Sequence, residues 1–134
     1  MTVFTHFAAG ALVGYFSPGV FSASIGGLLS HVLLDVIPHY DFESLRLEIF
    51  LGVAVVLTLV FTGSCSLVIC LGGIFAVIPD LENLLWKTGK LREDQKVFPG
   101  HAGIISHGRK TGRKSILIQV IFVMAVVIFL IWSV

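Results

Sequence analysis

Nine residues of this chain carry the types and spacing that could do chemistry: His6, His31, Asp35, His39, Asp41, Asp80, Glu82, His101 and His107. Imidazole nitrogen and carboxylate oxygen, with no thiolate in reach, form a donor set for a divalent metal. Zinc suits it best, manganese or iron next, and an all-oxygen magnesium or calcium site is less natural. His31 and Asp35, four apart, share one helix face, and His39 and Asp41 follow just beyond Pro38. The donors outnumber the four that one structural zinc uses, so two or three ions fit, with positions left open for water and substrate.

These donors sit in an unusually apolar chain. Of its 134 residues, 56% are hydrophobic and only 13% charged, with a mean hydropathy of +0.98. That length gives one domain, and that composition belongs in a bilayer. A net charge of +1 and two cysteines argue against a nucleic-acid binder and a disulfide scaffold. Cys65 and Cys70 read as packing residues.

Three stretches lack Asp, Glu, Lys and Arg altogether: Met1 to Leu34, Ile49 to Pro79 and Ser115 to Val134. The first two are too long for one span and are punctuated by Ser17-Pro18-Gly19 and Thr62-Gly63-Ser64. Each therefore reads as a helical hairpin: Thr2 to about Ile37, then Ser44 to about Trp86. A fifth helix ends the chain. The expectation is an all-α, polytopic membrane bundle of about five helices, its first helix tilting little or stopping within the membrane. No signal peptide is evident. Eight of the nine Lys and Arg residues lie between Lys87 and Lys114, so the positive-inside rule makes that loop cytoplasmic. The N-terminus is then inside and the C-terminus outside, in the cell's inner membrane. Val36 to Asp41 resembles Val77 to Glu82, a faint repeat expected to close the second helix of each hairpin.

The turns also set depth, because a helix climbs about 1.5 Å per residue. His6 lies 12 residues before Pro18 and His31 lies 13 after it, so they reach one level on adjacent helices. Asp80 and Arg46, each 17 residues from Gly63, return to the cytoplasmic side, where the loop carrying His101 and His107 begins. All five histidines, with Asp35, Asp41, Asp80 and Glu82, gather at that end. A buried carboxylate there costs several kcal/mol unless it is partnered, and a metal supplies the partner.

Thr5-His6, the His31-Val-Leu-Leu-Asp35-Val-Ile-Pro38-His39 segment, Ile78-Pro79-Asp80 and the His101/Gly103/His107 loop resemble the small prokaryotic membrane-bound metal-dependent hydrolases. That family is distantly similar to zinc-dependent phospholipase C. Its late motif is His-Arg-Gly followed closely by Thr-His-Ser, where this chain has His101-Ala-Gly-Ile-Ile-Ser-His107. The resemblance implies hydrolysis of a phosphoester.

The leading expectation is thus a metal-dependent phosphoester hydrolase at the cytoplasmic membrane surface. His6, His31, Asp35, His39, Asp80, His101 and His107 hold the metals. Asp41 or Glu82 accepts a proton from, or orients, a water made acidic by the cation. Arg109 and Lys110, with Arg113 and Lys114, hold the substrate phosphate or simply set topology. A lipid phosphate is the natural substrate and a soluble nucleotide the alternative. A metal-stapled scaffold without activity is a second reading, and a metal or proton transporter a third. Gly10, Gly14, Gly26, Gly27, Gly72 and Gly73 allow close helix contact, within the chain or between copies of a homo-oligomer.

Overall fold

Turn chemistry divides the apolar sequence into five helices, which a computed structural model describes over residues 1–105, 111–112 and 114–134. They are α1 (Val3–Phe16), α2 (Val20–Val36), α3 (Leu45–Phe61), α4 (Leu67–Lys87) and α5 (Lys114–Ser133), with a single 3-10 turn at Glu93–Gln95. No strand occurs among the described residues. Ser44 and Ser66 cap α3 and α4 by accepting from the amides of Leu47 and Ile69. Gly63 ends α3 at a φ of +73°, a left-handed conformation that glycine adopts without steric cost.

Glycines decide which helices touch. A Cβ on Gly10 or Gly27 would collide with the backbone oxygen of Gly72, and one on Gly72 would strike that of Gly10. One on Gly14 would come within 2.6 Å of the Val68 oxygen. These glycines pack α1, α2 and α4 against one another within the chain, so α4 lies where α1 and α2 meet. Phe4, Phe7, Ala8, Ala11, Leu59 and Leu130 fill the core around them. α3 leans on α1 and lightly on α5. It shares a turn with α4 but hardly packs on it, so the second hairpin is open.

Two expectations need correction. Pro79 does not close a helix. It lies inside α4, which runs on to Lys87, so the faint repeat stands at a helix end once and within a helix once. A proline inside a helix removes one N–H bond and crowds the carbonyl four residues back, a local cost that need not end the helix, and α4 runs through it. Cys65 and Cys70 are not merely packing residues, for they form a disulfide with Cα atoms 5.6 Å apart. Cys65 precedes the cap of α4 and Cys70 lies one turn in, which brings the sulfurs together. Two helices, α4 and α5, are long and apolar enough to cross a membrane, while α1 and α2 are apolar but shorter.

Candidate metal centre

The ends of α2 and α4, the start of α1 and the loop after α4 converge on Asp35. Its Oδ1 lies 3.1 Å from His6 Nε2, and its Oδ2 lies 3.1 Å from His31 Nε2 and 3.8 Å from His101 Nε2. The rings of His6 and His31 stack with centroids 4.0 Å apart, as their near-equal distances from Pro18 predict. Both histidines and Asp35 are buried. Two groups of three can hold a metal ion: His6, His31 and Asp35, and His31, Asp80 and His101. Within each group the donor atoms lie within 4.8 Å of one another. His31 belongs to both.

Hydrogen bonds on the far side of three rings set their tautomers. His31 Nδ1 lies 2.8 Å from the Ala76 carbonyl, His39 Nδ1 2.7 Å from the Ile37 carbonyl, and His101 Nδ1 3.2 Å from Glu82 Oε2. Carbonyl and carboxylate oxygens only accept, so each Nδ1 carries the proton and donates it. In the neutral ring Nε2 is then a lone pair: that of His31 faces Asp35 at 3.1 Å, that of His101 lies 2.9 Å from Asn83 Nδ2 and 3.8 Å from Asp35, and that of His39 lies 2.7 Å from the Met1 amine. At His31 a lone pair opposed to a carboxylate repels it unless a cation lies between, and at His39 the Met1 amine is such a cation. Metal-binding histidines are held in this manner, by an acceptor behind the ring.

Further atoms point the same way. Asp80 Oδ2 and His6 Nδ1 are buried without a hydrogen-bond partner among the described residues. Burial, with His31 nearby, lowers the His101 pKa, which keeps the ring neutral as a ligand must be. At the loop edge, burial opposes charge on His39, yet its bonds to Asp41 and the Ile37 carbonyl leave its pKa raised. Burial likewise opposes charge on Asp41, and His39 and the Met1 amine bring it down to about 2. That amine lies 2.8 Å from Asp35 Oδ1 and 2.7 Å from His39 Nε2.

Not every expected donor joins a metal-binding group. His39 and Asp41 pair with each other, at 3.4 Å, on the rim beside Asp35. Glu82 is occupied in another way: it accepts from the amides of Val97 and Phe98 and from His101 Nδ1, which fastens the loop and orients that ring. His107, Arg109, Lys110 and Arg113 lie outside the described residues.

Sequence reasoning missed four polar residues. Asn83 Nδ2 lies 2.9 Å from His101 Nε2. Asp80, Asn83 and Lys87 stand at i, i+3 and i+7 along α4 and line one cavity of about 220 Å³ with Asp35, Asp41 and Glu48. That spacing was readable once α4 was known to continue past Pro79. Glu48 is buried in the first turn of α3. Gln119 is the one polar side chain in the middle of α5; it accepts from Thr2 N at 3.1 Å and Thr2 Oγ1 at 2.8 Å and donates to the Tyr40 carbonyl at 2.9 Å. It ties α5 to the segments that carry His6 and His39. Compared with family models, curated proteins and solved structures, the chain matches none.

Proposed function

We propose that this protein is a membrane-embedded, metal-dependent hydrolase of phosphoesters, in keeping with the family its motifs resemble. The observation that carries the reading is the convergence of His6, His31, Asp35, Asp80 and His101 in two groups that share His31, with His31 and His101 each donating outward from Nδ1 and turning Nε2 toward Asp35. His6, His31, Asp35, Asp80 and His101 would hold the metal, with His39 and His107 as further donors. Nitrogen and carboxylate donors with the sulfurs locked in a disulfide suit zinc, with manganese or iron as alternatives. A divalent ion there supplies Lewis acidity for the phosphoryl oxygens and lowers the pKa of water.

The residues then divide the work. Asp41, half-exposed on the rim, accepts the proton of the attacking water, whose oxygen bonds to phosphorus as the ester P–O bond breaks. The departing alkoxide takes a proton from solvent. Glu82 acts through His101, keeping that ring in place. Lys87 lines the cavity and supplies a cation for the phosphate, and Arg109 and Lys110 would add others. The five-helix bundle lies in the inner membrane with this end cytoplasmic. Two features support that orientation: among the described residues, Lys87, Lys90, Arg92, Lys96 and Lys114 close α4, follow it or open α5 at the end that carries the candidate metal groups, and the disulfide, which oxidising compartments allow, stands at the other.

Metal analysis of detergent-purified protein, coupled to a phosphate-release screen over lipid phosphates, tests the proposal. The wild type should contain zinc and release phosphate, and Asp35→Ala should do neither. Bound metal with no turnover above the variant would favour the second reading, a metal that merely staples the loop. Glu82 already fastens the loop at Val97 and Phe98, which is the observation in favour of that reading.

A further inference from the structure

The acidic cavity does not end at its carboxylates. Val3, Ile49, Val77 and Leu81 line it and also line a second cavity of about 460 Å³, whose walls are apolar throughout. This groove follows the open cleft between α3 and α4, past Gly52 and Val56 on one side and Ile74 on the other. From Ile49 to Leu57 it extends about 12 Å along α3, away from the metal end. Ile74, Ile78 and Leu81 are exposed along it, so it opens sideways, where a bilayer would supply hydrocarbon.

We infer that the groove between α3 and α4 holds the hydrocarbon chain of a single-chain lipid phosphate, which reaches the metal centre sideways from the bilayer. The inference rests on the hydrolase reading and adds to it the substrate's tail and its route. Three observations carry it. The polar and apolar cavities adjoin at four shared lining residues, so a molecule with a charged head and an oily tail matches the pair. The cleft exists because the packing glycines draw α4 toward α1 and α2 and leave α3 apart. Position 52 is a glycine whose Cβ would meet only the Val3 side chain, at 3.6 Å, so the absent side chain leaves room. A soluble nucleotide would leave the apolar half unused.

The test uses full-length protein in phosphatidylcholine vesicles loaded with zinc. The probe is a single-chain alkyl phosphate bearing a diazirine midway along its tail. On irradiation it should attach to α3 and α4 residues such as Val53, Val56 and Ile74. Gly52→Phe should weaken that labelling by at least about tenfold, as the loss of about two buried methylenes would. It should cut hydrolysis of the long-chain phosphate to a similar degree while sparing a short, water-soluble alkyl phosphate. Val56→Trp gives a second way to fill the groove should the first variant not fold. Labelling spread evenly over α5, or unchanged by either substitution, would overturn the inference. Groove labelling without any phosphate release would instead remove the hydrolase reading and leave the lipid site standing. Equal loss of long and short substrates in a folded variant would do the reverse.

Discussion

Replacing Asp35 by Asn keeps the size and shape of the side chain and removes its charge, which separates a metal ligand from an ion-pair partner. The carboxylate touches His6 and His31 at 3.1 Å each, with His101 at 3.8 Å. Altering even an outer partner of a metal ligand costs 10–100-fold in affinity, so losing a direct anionic ligand should cost about 100-fold or more. At zinc 100 times the wild-type Kd, binding stabilises the wild type by about 2.7 kcal/mol and such a variant by about 0.4 kcal/mol. For a chain of this length one kcal/mol moves Tm by about 4 °C, so a zinc-induced rise of about 11 °C falls to about 2 °C. Thermal unfolding in detergent, with chelator and then with zinc, measures both. In chelator the Asn variant should lose the pairing with the Met1 amine, at 2.8 Å, while the amide still fills the space and can donate to a histidine nitrogen, so the zinc-induced rise of each protein above its own chelator value is the quantity that decides. If instead zinc raises both proteins equally, Asp35 is only the anionic partner of the Met1 amine or of a protonated histidine, and the metal argument fails.

Other expectations follow from packing and topology. Gly72→Ala pushes a methyl group into the Gly10 carbonyl, and overpacking of this kind costs about 1–3 kcal/mol, whereas Gly100→Ala, with open space around it, should stay within about 0.5 kcal/mol; paired thermal melts decide. Gln119→Leu fills the same volume but leaves the buried Thr2 amide without its acceptor, a loss of about 1–3 kcal/mol that should appear as faster amide exchange at the start of α1. With the metal end inside, a membrane-impermeant maleimide added to right-side-out vesicles should label Cys65 and Cys70 only after reduction. A cysteine placed at Lys90 should react only once the membrane is opened, and the reverse pattern would invert the orientation.

Helix limits and the meeting of His6 with His31 were legible because one turn controls both. Ser17-Pro18-Gly19 sets where α1 stops and α2 starts, and a fixed rise per residue does the rest. Asp80 reached the right level by the same arithmetic from Gly63. His101 did not follow from depth, since the residues from Thr88 to Gly100 form no long helix, and its position is set by Glu82 binding the amides of Val97 and Phe98. The openness of the second hairpin was also hidden. Chain neighbours usually pack, but here Gly10, Gly27 and Gly72 offer α4 a closer approach to α1 and α2 than α3 can provide. The glycines were visible in the sequence, but their partners were not, because which stripe meets which depends on all the helices at once. The disulfide escaped for a smaller reason: the five-residue spacing bridges here because Cys65 stands just before the start of α4, a boundary known only to within a residue or two from the sequence.

The distribution of polar groups bears on what such a bundle can do. At the metal end, His6, His31, Asp35, Glu48 and Gln119 are buried, and each has polar neighbours. Ten residues back along α4 from Asp80, about 15 Å away, stands the disulfide, and near it Ser64 and Thr62 bond to each other. Between those levels the core is Phe7, Ala8, Ala11, Ile69 and Val126, with the glycine contacts closing the helices against one another. A transporter needs ionisable or hydrated groups in succession across the whole thickness, because an ion stranded among hydrocarbon side chains costs several kcal/mol or more. This core offers none at mid-depth among its buried side chains, and the tight glycine packing leaves little space to hydrate one. What the site does have is lateral: an acidic cavity that adjoins an apolar cleft. The hydrolase proposed above would use that lateral arrangement on a molecule that stays in one leaflet.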